Sequence, residues 1–512
     1  MHAKIFSATT VGIEAHGVEV EVDLSYGMLQ FFIVGLPDTA IKESRQRIQT
    51  ALKNSGIRLP ERKITVNLAP ADLKKEGTLF DLPIAIGILC AAKLVSLTPE
   101  FSSETLFIGE LSLDGTIRSI KGALAIAFDA QTLGKKRLIV PKDNAHEAAL
   151  IEQLEVIGVS SLVELIAYLR NETPIAPTQS AYQLPLHNEN ELDFSQVRGQ
   201  HQAKRALQIS AAGRHNILFI GPPGSGKTML AKRLPTIMPP LSFQEVLETT
   251  KIYSISGKLA QQKLITQRPF RNPHHTISQA GLVGGGSFPQ PGEISLTHHG
   301  ILFLDELTEF KRTTLEVLRQ PLENKTVCIS RANHTITFPA NFLLIVALNP
   351  CPCGFLGDTK RQCHCSKNAI EHYLAKLSGP LLDRIDLQIN VASLDYDTLK
   401  NNDARALSSE QLFTGVQRAL EAQQNRFGNS FTFNSSMTPN QIDQFCMLSP
   451  EAEQLVKQAF ERLHLSMRGY HKILKVARTI ADLEHAKQIQ VAHVREAIMY
   501  RSLDQALEKM RS

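Results

Sequence analysis

The sequence predicts an α/β fold: a parallel nucleotide-binding sheet in mid-chain, a separate α/β domain before it and an all-helical region after it. Three observations carry that expectation. Gly221 to Thr228 read GPPGSGKT, between the apolar run Asn216 to Ile220 and a helix-compatible stretch from Met229. About eighty residues later, Ile301 to Glu306 read ILFLDE, a buried-strand pattern that ends in two adjacent carboxylates. Near the C-terminus, helical periodicity covers Ser449 to Leu463, Met467 to Lys487 and Val491 to Lys509, with almost no strand signal.

Each region has its own pattern. Residues 1–170 alternate strand-like runs (Val18 to Val22, Phe31 to Val34, Ile64 to Leu68) with helical ones (Thr39 to Ser55, Leu82 to Lys93, Gly122 to Thr132), as a self-contained α/β domain does. Residues 171–191 are polar and punctuated by Pro174, Pro177 and Pro185, which predicts a linker. Residues 192–394 alternate strands and helices around the phosphate loop and form the predicted parallel-sheet core. Residues 395–512 form the predicted helical lid.

Composition sets bounds on partners and compartment. A chain of 512 residues with 43% hydrophobic content can pack a core in each of several domains. The longest apolar stretch, Leu82 to Ala92, is too short to span a bilayer, and the start MHAKIFSATT has no basic region followed by an apolar one. The expectation is a cytoplasmic protein without a membrane partner. A net charge of +5 is compatible with nucleic acid but does not by itself argue for it.

The two acidic and glycine-rich motifs specify chemistry. Backbone N–H groups of Gly221, Pro222, Pro223, Gly224, Ser225 and Gly226, where the residue has one, would face the β- and γ-phosphates of ATP at a helix N-terminus. Lys227 would neutralise phosphate charge, and Thr228 with Asp305 would hold Mg²⁺. Glu306 would orient or deprotonate the attacking water. An oligomeric ATPase of the AAA+ kind also needs sensors and a charge supplied by a neighbour. Asn349, after the apolar strand Phe342 to Leu348, is the candidate first sensor; the other reading is a loop turn before Pro350. Arg384 in LLDRID is the candidate finger into the next subunit, the alternative being an internal pair with Asp383 or Asp386. Arg468 is the candidate second sensor, with Arg478 as the competing assignment.

Of seven cysteines, four lie within fifteen residues: Cys351, Cys353, Cys363 and Cys365. Four thiolates on a glycine-containing loop can close a tetrahedral structural Zn²⁺ site; free or redox-sensitive thiols are the other reading. The pairs His274-His275 and His298-His299 are read as ordinary polar residues.

The strings GEISLTHHGILFLDELTEF, LNPCPCG (Leu348 to Gly354), LSGPLLDRIDLQI (Leu377 to Ile389) and KVARTIADLE (Lys475 to Glu484) resemble the ComM/YifB family of magnesium-chelatase-like AAA+ proteins over essentially the whole chain. The resemblance implies a homo-hexameric ring whose inserted hairpins face a central pore. It places Gly281 to Gly286 and Pro291 to Ser295 in one insert and Lys325 to Phe338 in a hairpin before the first sensor. That hairpin alternates, turns at Arg331-Ala332-Asn333-His334 and alternates again; Arg331 and His334 are the candidate DNA contacts, gripping phosphates without reading bases, or else simply a polar tip in solvent. Gly109 to Leu150 resembles the proteolytic domain of Lon. There Leu79 and Leu124 stand where a Ser-Lys dyad belongs, with Thr78 and Lys121 as possible substitutes, so the domain is expected to be catalytically dead. The function implied is an ATP-dependent motor on single-stranded and branched DNA, a helicase or branch-migration activity in natural transformation, working alongside recombination proteins. The alternatives are a magnesium chelatase ATPase subunit and an ATP-dependent protease.

Overall fold

The structure is a computed structural model that describes residues 1–28, 30–58, 62–73, 75, 77–179, 192–259, 264–286, 289–331, 334–358, 360–393, 407–428, 432–463 and 465–501; the side chains of residues 39, 331 and 334 fall outside that description. The expected linker lies outside the described residues from position 180 onward, as does the expected last helix beyond 501. The chain divides into two compact units, Met1–Leu184 with Val246–Ile265, and Pro185–Glu245 with Thr266–Ser512.

The first unit is built on a seven-stranded mixed sheet. Its order is Phe31–Val34, Lys63–Ala69, Glu14–Ser25, His2–Val11, Thr105–Phe107, Arg137–Pro141 and Glu155–Val159. The period-two pattern explains the second of these strands in the chain: Val18, Val20, Val22 and Leu24 are buried while Glu19, Glu21 and Asp23 between them are partly exposed. The helix Asp81–Ala91 is apolar on all sides and is buried on all sides except at Cys90. Burying side chains of the Leu82, Ile84, Ile86 and Ile88 type stabilises by about 1.5–3 kcal/mol each. Its first residue, Asp81, is held by two hydrogen bonds from Arg47, at 2.8 and 3.1 Å. Leu79 is packed in the main core, whereas Leu124 sits in a separate small cluster with Leu150 and Leu247.

The second unit contains a five-stranded sheet in the order Phe270–Arg271, Ile301–Leu304, Leu343–Leu348, Ile217–Ile220, Leu387–Asn390, with every neighbouring pair parallel. The three central strands, Ile301–Leu304, Leu343–Leu348 and Ile217–Ile220, are continuous apolar runs, as strands covered on both faces must be. The strand that carries the phosphate loop and the strand that carries the two carboxylates are not neighbours; Leu343–Leu348 lies between them. The chain therefore changes direction in the sheet at the phosphate-loop strand, and a crevice opens at the carboxyl ends. The pairing of Ile220 with Leu348 brings Gly221 next to Asn349. The hairpin Thr326–Arg331 and His334–Pro339 is antiparallel, with Arg331 opposite His334 as its last pair. Val327, Ile329, Ile336 and Phe338 bury one face of it.

Helices Ser409–Phe427, Pro439–Phe445, Pro450–Arg462, Met467–Leu483 and Val491–Met499 pack in the same hydrophobic core as this sheet. Ser408, Thr438, Ser449 and Ser466 each cap a helix through the side-chain oxygen. A buried polar chain ties the Met467–Leu483 helix to the sheet. His215 bridges Thr479 at 2.8 Å and Asp386 at 3.3 Å, and Lys472 reaches Asp386 at 3.3 Å. Burial works against the Asp386 carboxylate, but Lys472 and His215 hold it well below the ordinary carboxylate range.

Candidate active site

The phosphate loop joins strand Ile217–Ile220 to helix Lys227–Arg233. Two glycines are dictated by geometry. A Cβ on Gly221 would lie 2.2 Å from the Val391 carbonyl oxygen, and Gly226 has φ 95°, which a side chain opposes. The Lys227 ammonium is buried and donates to the carbonyls of Gly221 at 2.7 Å and Pro222 at 2.9 Å and to Asn349 Oδ1 at 3.2 Å. Burial lowers its pKa, and Asp305 and Glu306 act in the opposite sense. The structure thus brings Lys227 and Asn349 into direct contact.

Thr228 Oγ1 donates to Asp305 Oδ2 at 2.6 Å, so a hydroxyl and a carboxylate from two strands apart share one point in space. That juxtaposition fits Mg²⁺, a hard cation that takes oxygen ligands. Ser225 in the loop has a buried hydroxyl with no hydrogen-bond partner among the described residues, as fits a donor meant for a phosphate oxygen. Glu306 follows at φ 50°, ψ 50°, a left-handed turn that ends the strand and leaves the carboxylate more than half exposed. It lines a cleft of 670 Å³ together with His275, Asn349, His372, Tyr373 and Lys376. His275 is the residue that sequence reading passed over. Its Nδ1 lies 3.6 Å from Glu306 Oε2, although thirty-one positions separate them in sequence. The other histidine pair is also placed specifically: His299 faces Glu245 at 3.2 Å beside Arg214 and Arg268, and His298 Nδ1 accepts from the Asn341 N–H at 3.0 Å.

Arg384 and Arg468 are not in this cleft. Both line a second one, of 520 Å³, whose walls also carry Arg214, Lys325, Lys472 and Lys475. Arg384 does pair within the chain, but with Glu323 and not with Asp383 or Asp386; Asp386 is committed to His215 and Lys472. Arg468 begins its helix exposed, and among the described residues it makes no hydrogen bond or ion pair. Arg478, the competing residue, is buried and spent on Asp482 at 3.0 Å and on the carbonyls of Ala486 and Lys487.

The four cysteines converge. Cys351, Cys353 and Cys363 have sulfur separations of 3.3–3.6 Å, and the ligand atoms of all four lie within 4.8 Å of one another. A disulfide needs about 2.05 Å. Four sulfurs about 2.3 Å from a central ion would stand roughly 3.8 Å apart, so the donor set fits tetrahedral zinc. The Phe355 backbone N–H and the Cys351 thiol pull the Cys353 thiol down to about 6, while its three partners are raised.

Leu79 and Leu124, both buried and apolar, offer neither nucleophile nor base, and Thr78 Oγ1 is engaged with Glu110. Among the described residues, no helix is long and apolar enough to cross a membrane.

A parallel sheet with a phosphate loop at its switch point, flanked by an asparagine-tipped and an acid-tipped strand, defines a P-loop nucleotide-binding core of the AAA+ kind. Residues 193–399 match the profile described as magnesium chelatase, subunit ChlI; residues 20–144 match subunit ChlI of Mg-chelatase, and residues 406–501 match its C-terminal region. The chain is 42% identical over 513 residues to competence protein ComM of Haemophilus influenzae, covering 99% of each. It is 41% identical over 507 residues to the uncharacterized protein YifB of Escherichia coli, covering 98% of this chain and 97% of the relative. A partial likeness, 26% over 220 residues, joins 41% of the chain to 40% of Lon protease 2 of Bacillus subtilis. The chain belongs to the ComM/YifB family of magnesium-chelatase-like AAA+ proteins.

Proposed function

We propose that the chain is the subunit of a ring-shaped, ATP-driven DNA motor that unwinds or branch-migrates recombination intermediates. The observation that supports it best is the division of labour between the two clefts. Lys227, Thr228, Asp305, Glu306 and Asn349 gather around one, and Arg384 with Arg468 lines the other. Each chain then carries two half-sites, and a head-to-tail ring joins one chain's phosphate loop to the next chain's arginines.

In such a seam Lys227 and the loop N–H groups bind the phosphates, and Asn349 orients the lytic water. Glu306 accepts that water's proton, and the neighbour's Arg384 and Arg468 stabilise charge on the transferring phosphoryl group. Thr228 and Asp305 would hold Mg²⁺, which would supply positive charge at the phosphates. Because Asp386 joins Lys472 and His215, the strand after Arg384 and the C-terminal helix move as one body. The hairpin tip at Arg331 and His334 grips phosphates without sequence preference. Cys351, Cys353, Cys363 and Cys365 would hold a zinc ion that would staple the loop beginning two residues after Asn349. The N-terminal unit is a dead Lon-like domain that serves as a scaffold or DNA guide, in keeping with Leu79 and Leu124.

The competence name of the Haemophilus relative, matched end to end, favours a role in natural transformation. The descriptions of the three matching profiles favour a second reading, a chelatase ATPase subunit. Forked and three-stranded DNA substrates separate them. ATP-dependent strand displacement is the result expected of the motor; ATP turnover with no displacement and no response to polynucleotide would overturn it. DNA-independent peptide cleavage would instead revive the protease.

A further inference from the structure

The backbone around Arg384 is held more firmly than its side chain. Asn216 Nδ2 donates to the Arg384 carbonyl at 2.9 Å, and the Asn216 carbonyl accepts the N–H groups of Asp386 and Leu387, each at 3.0 Å. Lys472 donates to the carbonyl of Asp383 and, at 3.0 Å, to that of Ile385, to which Arg501 also donates at 3.1 Å. The guanidinium has a looser mooring, since its ion-pair partner Glu323 is more than half exposed.

Asn216 stands apart from the other two holders by its place in the sheet. It immediately precedes strand Ile217–Ile220, which ends at the phosphate loop and lies between strands Leu343–Leu348 and Leu387–Asn390. From there its Oδ1 accepts the N–H of Leu344, the second residue of the strand that runs to Asn349, at 2.9 Å. One amide therefore spans from the Asn349 strand to the Arg384 peptide. The sheet ladder cannot replace it. The first register pair between the phosphate-loop strand and the last strand is Ile217 with Leu387, so Arg384 lies three residues outside the ladder and takes its bond from a side chain. Asn216 also lines the 520 Å³ cleft with Arg384 and Arg468.

We propose that Asn216 is a positioning residue that aims Arg384 at the neighbouring chain's nucleotide. The place needs a donor for the Arg384 carbonyl and an acceptor for the Leu344 N–H at once, and an asparagine amide supplies both at a fixed separation. Without the donor, the peptide that carries Arg384 turns more freely and the guanidinium no longer arrives at one point. The inference rests on the seam reading of Arg384 and adds to it the residue that holds the arginine in place.

The test is ATP affinity and steady-state turnover of the full chain for Asn216→Asp, alone and in equimolar mixtures. Aspartate keeps the acceptor for Leu344 and removes the donor. Its kcat should fall about ten-fold, between the worth of one hydrogen bond and that of a displaced catalytic group, at unchanged affinity for ATP. Mixed with Lys227→Ala, it should recover to about a quarter of the unmodified turnover, because one chain brings a sound phosphate loop and the other a well-held Arg384. Mixed with Arg384→Ala, it should gain nothing. Asn216→Ala, which removes both bonds, should show the same pattern of rescue. Unchanged kcat in Asn216→Asp would overturn the inference. So would weakened ATP binding, or recovery with Arg384→Ala in place of Lys227→Ala, since each would put the defect in the variant's own phosphate loop. Failure of Lys227→Ala and Arg384→Ala to rescue one another would instead overturn the seam reading itself.

Discussion

Replacing Arg384 by alanine separates assembly from fold. The guanidinium pairs with Glu323, whose side chain is 51% exposed, and also donates to the Pro380 carbonyl. Arg384 itself is only 12% exposed, but its partner faces solvent, so loss of this half-buried pair costs about 1 kcal/mol and the variant stays folded. Arg384 lines the cleft of Arg214 and Lys475 and touches none of the phosphate-loop residues, so ATP affinity of the isolated chain should not change. Turnover should fall about a thousand-fold or more, the worth of an arginine finger, which corresponds to about 4 kcal/mol of barrier. Mixing supplies the decisive assay. A Lys227→Ala chain has a disabled loop and an intact Arg384; an Arg384→Ala chain has the reverse. If each seam takes its loop from one chain and its arginine from the next, an equimolar random mixture repairs one seam in four, and turnover recovers to about a quarter of the unmodified value. A mixture no more active than the sum of its parts refutes the trans assignment.

Other outcomes follow from the same geometry. Lys227→Ala should lose nucleotide affinity, since it removes the charge beside the loop carbonyls and Asn349, whereas Glu306→Gln should keep ATP and lose about a hundred-fold or more in turnover; equilibrium binding with labelled ATP and turnover rates check both, and equal turnover by Glu306→Gln and the unmodified chain contradicts its role. The double change Cys351→Ser, Cys363→Ser should reduce bound zinc from one per chain to none, as elemental analysis reads, and zinc absent from the unmodified protein would remove the staple. Asp81 is pushed up to about 6 by burial, with Arg47 opposing the rise. Its folded state therefore binds a proton more readily than the unfolded chain does, and stability falls as pH climbs from about 4 to about 6; the gap from the ordinary 3.8 corresponds to about 3 kcal/mol. Thermal melts at pH 5 and 7 should show the N-terminal unit more stable at pH 5, and Asp81→Asn should abolish the difference; a melt that rises with pH contradicts it.

Much of the site is legible in sequence because its constraints are local. Glycines at 221 and 226 answer to a close carbonyl and a positive φ, and apolar runs before Gly221, Asp305 and Asn349 read as buried strands that place each residue at a strand end. The alternation of the 326–339 hairpin and the close spacing of the cysteines have the same origin. What sequence does not carry is pairing across long separations. Arg384 has acidic neighbours on both sides, yet its partner is Glu323, sixty-one positions away, because Asp386 points toward His215 and Lys472. His275 meets Glu306 only because the strands before them are adjacent and parallel in the sheet. The helix Ser409–Phe427 falls within the helical region expected over residues 395–512, its buried positions Leu412, Val416 and Ala419 spaced four and three apart.

The shared seam at the centre of the account is tested most directly by particle mass. With ATP and a single-stranded oligonucleotide, the hydrolysis-deficient Glu306→Gln protein should gather into particles of six times the 56.7 kDa chain mass. Persistence of a single-chain mass at every protein concentration, with nucleotide bound, would contradict it.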